Sequence, residues 1–170
     1  MEKLFREKKS VLCVVPLPLP ATGLSIISKE VKSIVDDEYT VHIVNLSKSS
    51  FLQGNLTITR LFGILLILYK IIRSRIYVDL VYLTVAQSIL GNIRDLCIIW
   101  LCRRKKIILH LHGGGIKQAV FERNRFLFLI NKTIHKYIDC CIVLSESLKS
   151  QYWFLPEDKV TVINTSGERF

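Results

Sequence analysis

His110 and His112 flank Leu111, and three glycines, Gly113 to Gly115, follow them directly. In a strand, residues two apart point to the same face, so the two imidazoles share one. His112 stands at the mouth of the exit loop, where it can donate a hydrogen bond to a sugar or a phosphate. The glycines let a ligand or a second domain come close to the backbone. His110, one step deeper, reads as a hydrogen-bonded core histidine. No acidic or thiol residue is near this pair in sequence, so the spacing predicts no metal site. A second candidate is the loop after the first apolar run, where Thr22 and Gly23 precede a helical pattern. Backbone N–H groups at such a turn can face an anion, although one glycine also serves simply to make a turn. Ser145 closes a later apolar run in the same way. Neither G-x-G-x-x-G nor G-x-x-x-x-G-K-[ST] occurs, which argues against dinucleotide oxidoreductases and P-loop NTPases.

The elements that must hold these residues alternate in type. Apolar, β-branched runs predict strands over 10–15, 39–45, 79–84, 107–111, 139–144 and 159–163. Helical patterns fall over 24–35, 56–75, 89–102 and 120–135, and a short helix opens at Ser145 as N-cap and runs to 152. Continuous apolar strands are those buried on both faces, so the pattern predicts an α/β fold, a parallel sheet of about six strands with helices on each side. Ligands of such sheets bind at the carboxyl ends of the strands. The loops at 16–23, 84–88, 112–115 and Ser145 all lie on that edge. Asp79 and Asp139 fall at the opposite edge and read as turn or cap residues, and Arg94 with Asp95 reads as a solvated pair.

Half of the residues are apolar and 22% are charged, which excludes a disordered chain. Of the net charge of +10, residues 61–135 carry +9, from 12 basic and 3 acidic side chains. A field so localised favours an anionic partner: a phosphate-bearing ligand, anionic lipid or nucleic acid. Aromatic residues are not interleaved with the basic run 103–106, which argues against nucleic acid. The five cysteines, Cys13, Cys97, Cys102, Cys140 and Cys141, are odd in number and lack C-x-x-C spacing. They read as buried thiols of a reducing, cytoplasmic compartment. The apolar run 11–15 is shorter than the roughly 7–15 residues of a secretory core. The run from Leu61 to Ile72 is shorter than the roughly 20 needed to span a bilayer, and predicts a buried or interfacial helix.

The segment VDLVYLTVAQSILGNIRDLCIIWLCRRKKIILHLHGGG, residues 78–115, resembles the N-terminal domain of GT-B glycosyltransferases of the family 4 ("group 1") type. That family shows a D-[VL]-[VI] strand, a small polar turn, a helix with Arg-Asp, a basic turn and an H-x-H-G strand exit. VLCVVPLPLPATGLSIISKEV, CIVLSESLKSQYW and PEDKVTVINTSGERF resemble three further passages of the same domain in the same order. The resemblance implies a single Rossmann-like domain over residues 1–170, the acceptor-side half of a two-domain fold, without the donor-binding C-terminal domain. It implies retaining, metal-independent transfer from a nucleotide-sugar co-substrate to a glycan or lipid-linked acceptor in cell-envelope or polysaccharide synthesis. His112 then lies beside the transferred sugar as the catalytic position. Thr22, Gly23, Gly113, Gly114 and Ser145 form the cofactor-binding edge. The family's paired glycine is Thr22 here, and its N-G pair near the hinge is altered in Asn164-Thr165-Ser166-Gly167. Half a cleft gives neither the positioning nor the water exclusion that transfer needs, so residues 1–170 alone are expected to transfer little or no sugar. A C-terminal partner chain and an anionic inner-leaflet surface are the implied partners. A non-catalytic remnant, or the partner-binding half of a split enzyme, is the alternative, and a Rossmann-like enzyme of another ligand is the third.

Overall fold

The computed structural model describes residues 9–17, 39–46 and 58–163. The helix expected over 24–35, the loop residues Thr22 and Gly23, and the altered hinge at 164–167 lie outside the described residues. Six parallel strands form one sheet: β1 (Ser10–Val15), β2 (Thr40–Asn45), β3 (Leu80–Thr84), β4 (Lys106–Leu111), β5 (Cys140–Val143) and β6 (Val160–Val162). Their spatial order is β2-β1-β3-β4-β5-β6. The chain order therefore reverses at β1, and the crevice between the exits of β1 and β3 is the topological switch point. This is an α/β, Rossmann-like fold, as the alternating pattern predicts.

Among the described residues three helices return the chain: α1 (Ile58–Ser74), α2 (Ile89–Leu101) and α3 (Arg125–Ile134). They pack on one face of the sheet. Leu12, Leu83, Leu109 and Val143 of the strands meet Ile71 of α1, Leu96 and Ile99 of α2, and Leu127 of α3 in the main core. Alternate strand residues, Val11, Cys13, Val15 and Tyr82, form a smaller cluster on the opposite face. Two buried carboxamides clip α2 to α3. Asn92 Nδ2 donates to Asn131 Oδ1 at 3.0 Å, and Asn131 Nδ2 donates to Asn92 Oδ1 at 2.9 Å.

Asp79 and Asp139 do more than end turns. Asp79 Oδ2 accepts from Ser10 N at 3.0 Å and Asp139 Oδ2 from Ile107 N at 2.8 Å, so each stitches the start of a neighbouring strand. No disulfide joins the five cysteines, and Cys97 and Cys140 are half-buried rather than buried.

Three local expectations are corrected. The helix expected over 120–135 is two pieces, a wide single turn at Lys117–Phe121 and then α3. Asn124 sits between them in extended backbone, and its Oδ1 caps α3 by accepting from Leu127 N at 3.0 Å. The helix after Ser145 is a run of 3₁₀ turns, Glu146–Tyr152, and the Ser145 hydroxyl bonds Ser147 Oγ at 2.8 Å instead of capping the backbone. Asp95 is not solvated: only 3% of it is exposed.

Candidate functional site

The site is built where β3 and β4 end. Register pairs Thr84 with His110, so these two side chains stand side by side on one face. His112 follows on the same face, and its ring stacks on that of His110 with centroids 3.8 Å apart and planes at 28°. Below them the Tyr82 hydroxyl and His110 Nδ1 share a hydrogen bond. Burial pushes the Tyr82 phenol well above its ordinary range, so it stays protonated. Both imidazoles are pulled down to about 4 by burial, with His110 adding to the effect on His112. They are therefore neutral at physiological pH, and each carries one N–H donor and one ring nitrogen acceptor.

Much of their hydrogen-bonding capacity is unspent. His110 Nε2, both ring nitrogens of His112 and the Thr84 hydroxyl are buried without a hydrogen-bond partner among the described residues. Buried polar atoms are nearly always satisfied, and each orphan typically costs about 1–3 kcal/mol. Four of them gathered at one strand edge make it the candidate site for a polar ligand. A neutral imidazole offers a donor and an acceptor, the complement of a hydroxyl group, which is itself both.

The glycine loop beside this cluster is fixed. Gln151 Oε1 accepts from Gly115 N at 3.0 Å and from Lys117 N at 3.2 Å. Gly115 has φ +120°, a conformation that side chains resist. A Cβ on Gly113 would come within 2.7 Å of Gln87 Nε2, so the β3 exit loop packs directly on the glycine loop. That exit loop is held in turn by Asp95, whose Oδ2 accepts from Ala86 N at 2.8 Å. The other carboxylate oxygen takes Arg94 Nε at 2.9 Å and Nη2 at 2.7 Å. Burial pushes the Asp95 carboxyl up, and Arg94 with the Ala86 N–H pulls it back.

The residues named from sequence thus fall as follows. His112, Gly113 and Gly114 lie together at the β4 exit. Leu111 pairs with Val143, so Ser145 at the β5 exit stands beside them. Thr22 and Gly23 are outside the described residues. Thr84, Tyr82, Gln87 and Gln151 are additions. Thr84 ends the DLVYLT run, but its place beside His110 follows only from strand register. Gln151 reaches its partners across 36 residues of chain. No group of three or more His, Cys, Asp or Glu able to hold a metal ion occurs among the described residues. No protein-family model and no curated protein matches this chain.

Proposed function

We propose that this chain is the acceptor-side half of a glycosyltransferase that moves a sugar from a nucleotide-sugar to a glycan or lipid-linked acceptor. The reading has it act at the cytoplasmic face of a membrane, completed by a donor-binding domain or partner chain. The observation that carries it is the set of unspent hydrogen-bonding atoms on Thr84, His110 and His112 at the strand-exit edge. Such a set suits a polyhydroxylated ligand better than an anion, because neutral imidazoles supply no charge. In transfer, an acceptor hydroxyl oxygen bonds to the anomeric carbon while the bond from that carbon to the diphosphate oxygen breaks, and the hydroxyl proton passes to the departing diphosphate. His112 orients a hydroxyl of the transferred sugar, and the fixed glycine loop sets its distance. The cations that stabilise the leaving diphosphate belong, on this reading, to the completing domain.

The test is ligand binding by the chain and by two variants, His112→Ala and Thr84→Val. A nucleotide-sugar or its sugar-bearing acceptor at a hundredfold excess over Kd should stabilise the native chain by about 2.7 kcal/mol, read as a rise in Tm. His112→Ala should lose that rise. Thr84→Val removes one buried orphan and should keep or raise the ligand-free Tm while weakening binding. A response to free nucleotide alone, or equal responses from all three proteins, would defeat the proposal.

A further inference from the structure

The outer surface of the helical layer is unusual in combining large apolar side chains with cations. The inner face of α1 is spent on the core through Ile67, Leu68 and Ile71. Its outer face is also apolar: Leu61, Phe62, Leu65, Leu66, Tyr69 and Ile72 are between 44% and 69% exposed. A helix apolar all round belongs inside a protein or against lipid. No described helix is long and apolar enough to cross a membrane. The apolar surface continues past α1 through Ile76 and Tyr77, and onto α2 and α3 through Ile93, Trp100 and Leu129. Between those two helices an open apolar groove of about 380 Å³ is lined by Trp100, Leu129, Ile130, Ile134 and Tyr137.

Cations outnumber acids beside this surface. The helices run back against the parallel strands, so all three end on the same edge, opposite the candidate site. Lys70, Arg73, Arg104, Lys106, Lys132 and Lys136 are exposed there. Arg75 Nη1 bonds Leu101 O at 2.8 Å, which ties the ends of α1 and α2 together. The Arg103 guanidinium lies 4.5 Å over the Trp100 ring. Two exposed carboxylates share that edge, Asp79 and Asp139 at the starts of β3 and β5, and they offset only part of this charge. Asp95 is paired with Arg94, and Glu122 lies 3.8 Å from Lys117. Apolar side chains bordered by aromatic rings and lysine or arginine are what an anionic bilayer surface accepts.

We infer that the outer face of the α1–α2–α3 layer docks on an anionic lipid surface, with α1 lying in the plane of the interface. Its exposed apolar side chains enter the acyl boundary, and the cations at the common helix-end edge meet the headgroups. The inference names the surface behind the peripheral placement in the reading above. Its test uses no sugar, so either can fail without the other.

The experiment is flotation of the full chain with vesicles of phosphatidylcholine alone and with a third of the lipid as phosphatidylglycerol. Binding should appear with the anionic vesicles and weaken with added salt. Lys70→Gln with Arg73→Gln should lower the partition coefficient about 25-fold, at about fivefold per charge. Leu65→Glu with Leu66→Glu should abolish binding, and both positions are exposed, so the fold is retained. Brominated acyl chains should quench the part of the fluorescence that Trp100→Phe removes. Flotation that ignores lipid charge and these substitutions overturns the inference. So does bound protein whose Trp100 is not quenched. A dimer that Leu65→Glu with Leu66→Glu dissolves, without vesicle binding, overturns it in favour of a second copy.

Discussion

Acid should destabilise this fold through His135, and the size of the effect follows from where the ring sits. His135 is 2% exposed and lies against Tyr152 and Phe154, with ring centroids 5.3 and 5.5 Å away. Its Nδ1 bonds Asn131 O at 2.9 Å. Burial pulls the imidazole down to about 4, against a smaller upward pull from that carbonyl. The unfolded chain, with the ordinary value of 6.5, binds the proton first as pH falls. Stability is therefore fully present above about pH 6.5 and drains away toward pH 4. The full difference corresponds to about 3 kcal/mol, and about 2 kcal/mol of it is lost between pH 7 and pH 5. His135→Leu removes the titration and one hydrogen bond, which costs about 1 kcal/mol at pH 7.5. The native chain and the variant should then show equal stability near about pH 6, with the variant more stable below it. Urea unfolding at pH 7.5, 6 and 5 reads this directly. Parallel pH profiles for the two proteins would refute the reasoning, because they would mean that His135 takes up its proton in the native state at no cost.

Two further substitutions test the polar contacts that organise the helices. Asn131→Leu strands the Asn92 carboxamide in the core and should cost about 2–4 kcal/mol in urea unfolding; adding Asn92→Leu should recover much of that loss, since both partners are then apolar. Asp95→Asn leaves the half-buried Arg94 guanidinium without its counter-charge and should cost about 3 kcal/mol, together with faster amide exchange at Ala86, whose N–H it holds.

Much of the fold can be read from local pattern because parallel strands buried on both faces are written as apolar runs. LVYLT, KIILHL and CCIV stand out for that reason, and Ser88 announces α2 by accepting from Gly91 N. The features that local pattern hides depend on residues far apart in sequence. Asp95 looks like half of a surface ion pair until the β3 exit loop folds over it. Thr84 becomes a site residue only once register sets it beside His110. The break before α3 is a closer miss: Asn124 carries the capping side chain in plain view, but the apolar residues on either side continue a helical pattern across it. Of the candidate site, the sequence shows the histidines and glycines, which are contiguous. It does not show Gln87 or Gln151, which fix the loop from other elements.

The strand-exit edge holds the cluster of orphaned hydrogen-bonding groups, and the opposite edge holds a cluster of exposed cations at the helix ends. At the strand-exit edge the unspent groups are neutral imidazoles and a hydroxyl, whose interactions are short-ranged and directional. At the opposite edge the helix ends present cations, whose attraction acts over about a Debye length and needs no fixed geometry. Were the neutral groups at the helix ends, nothing there would attract an anionic surface from a distance. On the two proposals above, the long-range field sets where the chain sits while the hydrogen-bonding cluster decides what enters it. The ionic strength that releases the chain from lipid should accordingly leave the affinity of the His112 site for an uncharged sugar ligand unchanged.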